Sequence, residues 1–180
     1  MRITGGSLGG RRVSVGGGII RPSMDRMRES VFAALGDING LSFLDLFSGT
    51  GIIALEAASR GAFPVEAVEA DPLKRKTLLS NVSISPVQIR CRFMAVELYV
   101  KRVKKNFHLI FCDPPFPYRF KWELIRNIAA SSLVSSETRL LIHRPREDYH
   151  DDPVDFLVKE DSREYGRSMV DFFRGTKIGE

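Results

Sequence analysis

Asp113-Pro114-Pro115-Phe116 is the segment whose residue types say most about chemistry. It follows directly on an apolar run, Phe107 to Cys112, that reads as a buried strand. Asp-Pro and Pro-Pro are ordinary turn punctuation, but their place at the end of a buried strand favours a functional loop. Two consecutive prolines fix φ and lack N–H donors, so the loop is stiff and its carbonyls are free to accept. The Asp113 carboxylate and the Pro114 carbonyl can then take the two N–H groups of a flat amino group. The amino nitrogen of a nucleobase is a poor nucleophile, because its lone pair is delocalised into the ring. Two acceptors held against it draw it toward a pyramidal geometry, and the rate gain comes from positioning and preorganised electrostatics. Phe116 offers an aromatic face on which a base can stack.

A second group lies at Asp45-Leu46-Phe47-Ser48-Gly49-Thr50-Gly51. Gly49-x-Gly51-x-x-Ala54 matches the dinucleotide-binding fingerprint, and Glu69 stands 20 residues after Gly49, where a ribose-binding acid is expected. A nicotinamide or flavin oxidoreductase is therefore a competing reading. Asp45 argues against it, because a dinucleotide lays its pyrophosphate over this loop and a nearby carboxylate repels an anion. S-adenosylmethionine carries no phosphate; it has an ammonium and a sulfonium, which a carboxylate attracts. Glu69 can accept both ribose hydroxyls, whereas Asp71 fits better as a helix cap before Pro72.

These residues need elements to hold them. From residue 41 the apolar pattern alternates between strand and helix. Strands are predicted over 41–47, 65–69, 87–93, 107–112, 139–143, 154–159 and 168–173, and helices over 51–59, 72–81, 95–104 and 120–130. A further helix is predicted over Met24–Leu35 behind an N-cap at Ser23, with Met24, Met27, Val31 and Leu35 on one face. Strands alternating with helices give an α/β fold on a mostly parallel seven-stranded sheet, and the last two strands, with no helix between them, give it an antiparallel C-terminal edge. In such sheets the ligand lies at the carboxyl ends of the strands, which is where Asp45, Glu69 and Asp113 fall. Residues 1–22 read apart from this, as a small, Gly-rich, basic β-hairpin and arm. Residues 23–180 read as the catalytic domain.

Composition bounds the partners. The 180 residues carry a net charge of +5. Residues 1–28 alone hold six arginines against one acid, Asp25. Arginine interleaved with glycine suits phosphate contacts. A second basic run is Lys101-Arg102-Val103-Lys104-Lys105. No apolar run nears the length of a membrane span and no signal peptide is visible, so a cytoplasmic protein is expected. Cys91 and Cys112 are too few for a metal cluster and read as reduced, buried residues; no metal is expected. A cytosine-type Cys nucleophile lacks a Pro-Cys pair, and a serine triad lacks its nucleophile elbow. A base inside a duplex could not reach the loop, so the target should be unpaired or flipped out.

The pattern Asp45-x-Phe47-x-Gly49-x-Gly51, Glu69, Asp113-Pro114-Pro115-Phe116 resembles class I methyltransferases acting on amino nitrogens. Met1-Arg2-Ile3-Thr4-Gly5-Gly6, Gly10-Arg11-Arg12 and Arg21-Pro22-Ser23-Met24-Asp25-Arg26-Met27-Arg28-Glu29-Ser30 make it similar to the RsmD-type bacterial family, over nearly the whole chain. That resemblance implies a Rossmann-like fold, S-adenosylmethionine as cofactor, and the N2 amino group of a guanine in small-subunit (16S) ribosomal RNA as target. It implies rRNA of the small subunit or its assembly intermediate as partner; a monomer is expected, although no residue pattern speaks to oligomeric state. Asp45, Gly49 and Gly51 would hold the methionine part, Glu69 the ribose, and Asp113 to Phe116 the base, with Phe47 and Met94 also beside the cofactor; Arg11, Arg12, Arg21, Arg26 and Arg28 would touch RNA. The Asp-Pro-Pro-Phe motif alone is shared with adenine-N6 enzymes, which are the alternative. Two positions depart from the family pattern: Met94 stands where a polar residue is expected beside adenine, and His143 where a Glu is expected after the fifth strand. As a bare residue type, His143 reads as structural.

Overall fold

The computed structural model describes residues 1–16, 22–150 and 152–177. Strands β1 (Phe43–Leu46), β2 (Val65–Glu69), β3 (Ile89–Phe93), β4 (Leu109–Cys112), β5 (Arg139–Pro145), β6 (Leu157–Tyr165) and β7 (Ser168–Gly175) form one sheet. Its order is β3-β2-β1-β4-β5-β7-β6. The first five strands are parallel, and β7 pairs antiparallel with both β5 and β6. Helices α1 (Pro22–Leu35), α2 (Ile52–Ser59), α3 (Arg75–Val82), α4 (Val96–Arg102) and α5 (Lys121–Ala130) complete the fold. This is the Rossmann-like α/β architecture that the alternating pattern predicts.

β1, β2 and β4 are buried along their whole length, as strands covered on both faces of a parallel sheet are. The two faces pack separate cores. One joins α1, α2, α3 and the N-terminal segment through residues such as Ile3, Val31, Leu55 and Leu78. The other joins α4 and α5 through Val96, Val100, Leu124 and Ile128. Strand order reverses between β1 and β4, so the chain leaves these neighbours in opposite directions and a crevice opens at their carboxyl ends.

Element boundaries shift from those predicted. α1 starts at Pro22, two residues before the predicted start, because proline's fixed φ suits the first helical position. Ser23 thus lies inside the helix and is not its cap. Asp71 does cap the next helix, accepting from Leu73 N at 2.9 Å, but the first turn over Pro72–Lys74 is 3-10 before α3 begins. The N-terminal segment folds back on itself through one antiparallel bridge, Arg2 to Arg12. It is held mainly from outside. Glu56, fully buried in α2, accepts from Thr4 N at 2.8 Å and pairs with Arg28 and Arg60. Ser59 Oγ donates to Gly5 O at 2.6 Å and accepts from Leu8 N at 2.9 Å. Gly6 is required here: a Cβ on it would meet Ser59 O at 2.0 Å, and its φ is +74°.

Candidate active site

Asp45 reaches the cleft because β1 ends one residue later, at Leu46, and the chain then turns sharply. Phe47 takes φ 62°, and Gly49 and Gly51 take φ 59° and 80°. A non-glycine residue in that region costs about 1–3 kcal/mol, a strain that recurs at functional sites. At Gly51 a side chain would also press on Val82 at 3.0 Å. The turn is tied by Gly49 N donating to Glu69 Oε2 at 2.7 Å, so the ends of β1 and β2 are joined by the acid expected to bind ribose. Glu69 Oε1 accepts from Asp71 N at 2.8 Å. Each oxygen keeps a further lone pair for a ligand.

Asp45 is 1% exposed. Its Oδ2 accepts from Ser48 Oγ at 2.6 Å and from Ala54 N at 3.2 Å, while its Oδ1 is buried without a hydrogen-bond partner among the described residues. An unpaired buried carboxylate oxygen is costly, and a cationic ligand removes that cost. Burial foremost pushes the Asp45 carboxyl up to about 7; the nearby Asp113 and Glu69 charges add to the rise, against the Ser48 and Ala54 hydrogen bonds. The cleft is thus set for positive charge and against phosphate.

Asp113 follows β4 on the neighbouring strand, its N–H donating to Leu46 O at 3.2 Å. The Asp113 carboxylate is partly exposed, Pro114 is buried, and Phe116 is 43% exposed. The corner is braced from behind. Lys121, at the start of α5 and 4% exposed, donates to Phe116 O and Tyr118 O, each at 2.7 Å, and pairs with Asp148 at 2.7 Å. The Tyr118 ring meets Phe47 edge-on at 5.5 Å between centroids, and its hydroxyl bonds to Glu97.

Asp45, Phe47, Gly49, Glu69 and Asp113 to Phe116 line one cleft of about 740 Å³. His143 and the β6–β7 turn, Tyr165 to Ser168, line it too. Gly51 sits beneath, at the start of α2. Met94 is not among the lining residues; it packs against the core on the α4 and α5 side. Arg11, Arg12 and Arg26 are exposed, and Arg21 lies outside the described residues. Arg28 is a correction. It is 1% exposed, bonded to Asp25 at 2.6 Å, to Glu56 at 3.2 Å and to the carbonyl of Arg2 at 2.8 Å. It closes the interior and does not face RNA, because a buried Glu56 needs a buried cation. Burial, then the carboxylates of Asp113, Asp45 and Glu97, push the Cys112 thiol up, which removes it as a nucleophile.

Sequence reasoning did not find Lys121, Ser168 or the partnership of His143. Lys121 carried no signal of its own, whereas His143 did, as a residue out of pattern after β5.

The model of one family, conserved hypothetical protein 95, matches residues 1–174. YlbH of Bacillus subtilis (strain 168), provisionally named an rRNA methyltransferase, is 28% identical over 97% of this chain and 98% of its own. Ribosomal RNA small subunit methyltransferase D of Escherichia coli (strain K12) is 28% identical over 79% of this chain and 73% of its own. Enzymes named for adenine-N6 methylation of tRNA match shorter stretches, 43% of the chain in one case. Among solved structures, yhhF of Escherichia coli, provisionally titled a methyltransferase, superposes with a TM-score of 0.87 at 24% identity, covering 99% of both chains. Motif, fold and family model agree: the chain belongs to the conserved hypothetical protein 95 family, the RsmD-type methyltransferases.

Proposed function

We propose that this chain transfers a methyl group from S-adenosylmethionine to the exocyclic N2 amino group of an unpaired guanine in small-subunit ribosomal RNA, in the cytoplasm. One observation carries the reading: Asp45, with an unpartnered buried oxygen, and the Asp113 corner line the same cleft from adjacent strand ends. The residues fit the cofactor. Asp45 and the Gly49 loop would hold its cationic methionine end, and Glu69 its ribose. When bound, S-adenosylmethionine supplies a methyl carbon activated by its sulfonium. Asp113 and the Pro114 carbonyl accept the two N–H groups of the target, and Phe116 stacks on its ring. Asp113 receives the proton released after alkylation, so it does not have to be a strong base beforehand.

Arg11, Arg12 and Arg26 supply the phosphate contacts. The motif is compatible with adenine as well as guanine, so the product decides between them. The test is transfer of labelled methyl groups to unmodified small-subunit rRNA or particles, followed by mass mapping of the modified nucleoside. N2-methylguanosine is expected, and Asp113→Ala should slow its formation about 100-fold or more. N6-methyladenosine, or equal rates for the two proteins, overturns the proposal.

A further inference from the structure

His143 occupies a position where its ring can do only certain things. It lies on β5, beside β4, and is buried to 6% exposure. Its Nδ1 is 2.8 Å from Asp113 Oδ1, and its Nε2 is 2.9 Å from Ser168 Oγ. Ser168 Oγ in turn lies 3.1 Å from Tyr165 O, across the turn between β6 and β7. The Phe116 ring meets the imidazole edge-on at 5.5 Å.

Counting hydrogens narrows the roles. An ionised carboxylate only accepts, so Nδ1 must carry the hydrogen that joins it to Asp113. Nε2 then either accepts from the Ser168 hydroxyl or, in the cation, donates to it while Ser168 donates to Tyr165 O. In both arrangements each ring nitrogen is engaged by protein. Neither is left to read a base edge, and neither is left to abstract a proton from the target.

We propose that His143 is a positioning residue for Asp113: its Nδ1–H holds Oδ1 and so fixes the rotation of the carboxylate toward the amino group, and Ser168 fixes the ring that does this. The β6–β7 turn thereby helps to aim a carboxylate that leaves the far side of β5. In the absence of this hydrogen bond Asp113 could rotate and present either oxygen, at a cost in orientation and not in cofactor binding. The inference rests on the proposed amino-group methylation for its effect on rate, but not for its geometry.

The test separates the two nitrogens. Asparagine places a donor near the Nδ1 position, glutamine near Nε2. His143→Asn should keep kcat within about threefold of the parent. His143→Gln should lower it on the order of 10- to 100-fold, the usual scale for removing an orienting hydrogen bond behind a reactive group. The affinity for S-adenosylmethionine, by calorimetry, should not change in either. Equal loss in both variants, or better activity in His143→Gln, overturns the inference. A second measurement needs no activity and covers a variant that fails to fold. In the parent protein, proton–nitrogen correlation spectra of the imidazole should show Nδ1 protonated, with that resonance displaced in Asp113→Asn. A ring protonated only at Nε2 overturns the inference even if methylation is confirmed. Correct spectra with no methyl transfer to RNA would instead count against the proposed function.

Discussion

At Asp45 the physical problem is a carboxyl that the folded chain buries beside two other acids. Its value of about 7 lies above the 3.8 of an unperturbed aspartate, so the folded state holds an extra proton between those values. The stability this group contributes is therefore present in acid and falls as pH rises toward about 7. Ligand binding runs the other way, because a cationic methionine end is attracted only by the ionised form. Affinity for S-adenosylmethionine should increase as pH climbs through about 7 and level off above it. In Asp45→Asn it should be weaker and flat with pH, by calorimetry at matched ionic strength. Urea titration at about pH 8 should show the same variant more stable than the parent, by on the order of 1–3 kcal/mol. Asp45, Glu69 and Asp113 were legible in the sequence because each lies at or near the carboxyl end of an apolar run, and a strand end is where a parallel sheet exposes side chains. The role of His143 was not, since its partner lies 30 positions away and residue type alone does not say what each nitrogen meets. Arg28 was misread for a related reason: a count of charges along the chain cannot see Glu56 opposite it.

At the scale of elements, the Pro-rich corner owes its shape to the helix behind it as much as to its prolines. Lys121→Met keeps the aliphatic stem but leaves two carbonyls and Asp148 without their cation. It should cost about 2–4 kcal/mol in urea unfolding and lower kcat more than it weakens cofactor binding. Unchanged stability would show that water replaces the ammonium at no cost. The mostly parallel sheet and its antiparallel edge could be read from alternation alone, whereas the strand order could not. The extent of β6 could not, because Lys159 to Glu164 form an unbroken polar run without apolar alternation. It is an edge strand, held by backbone pairing with β7 more than by a buried face. The contribution of its turn to the cleft was hidden for the same reason, as nothing in Tyr165-Gly166-Arg167-Ser168 signals more than a turn.

For the whole molecule, the surplus of positive charge predicts RNA binding that weakens with salt. Arg11→Ala with Arg12→Ala should reduce the slope of log affinity against log salt by about 1.4–1.8, as expected for two lost phosphate contacts. Arg28→Ala should instead appear as a folding defect of about 3–5 kcal/mol, because it takes one of two paired cations from buried Glu56 and leaves Asp25 and the Arg2 carbonyl without their donor. A slope untouched by the double substitution would remove the N-terminal arginines from the RNA interface.

The N-terminal segment, finally, is fastened at two places to parts that also serve the cleft. Asn81 donates to Ser14 O and to Thr50 O, each at 2.9 Å, so one amide spans the first residues and the glycine turn. In α2 the Glu56 anchor stands two residues after Ala54, whose N–H donates to Asp45. A trimmed protein lacking those first residues would therefore arrive with a slackened donor pocket as well as a diminished grip on nucleic acid. With the proposed RNA contacts, docking and cofactor retention would share a strut, which side-chain replacements at the exposed arginines would pull apart.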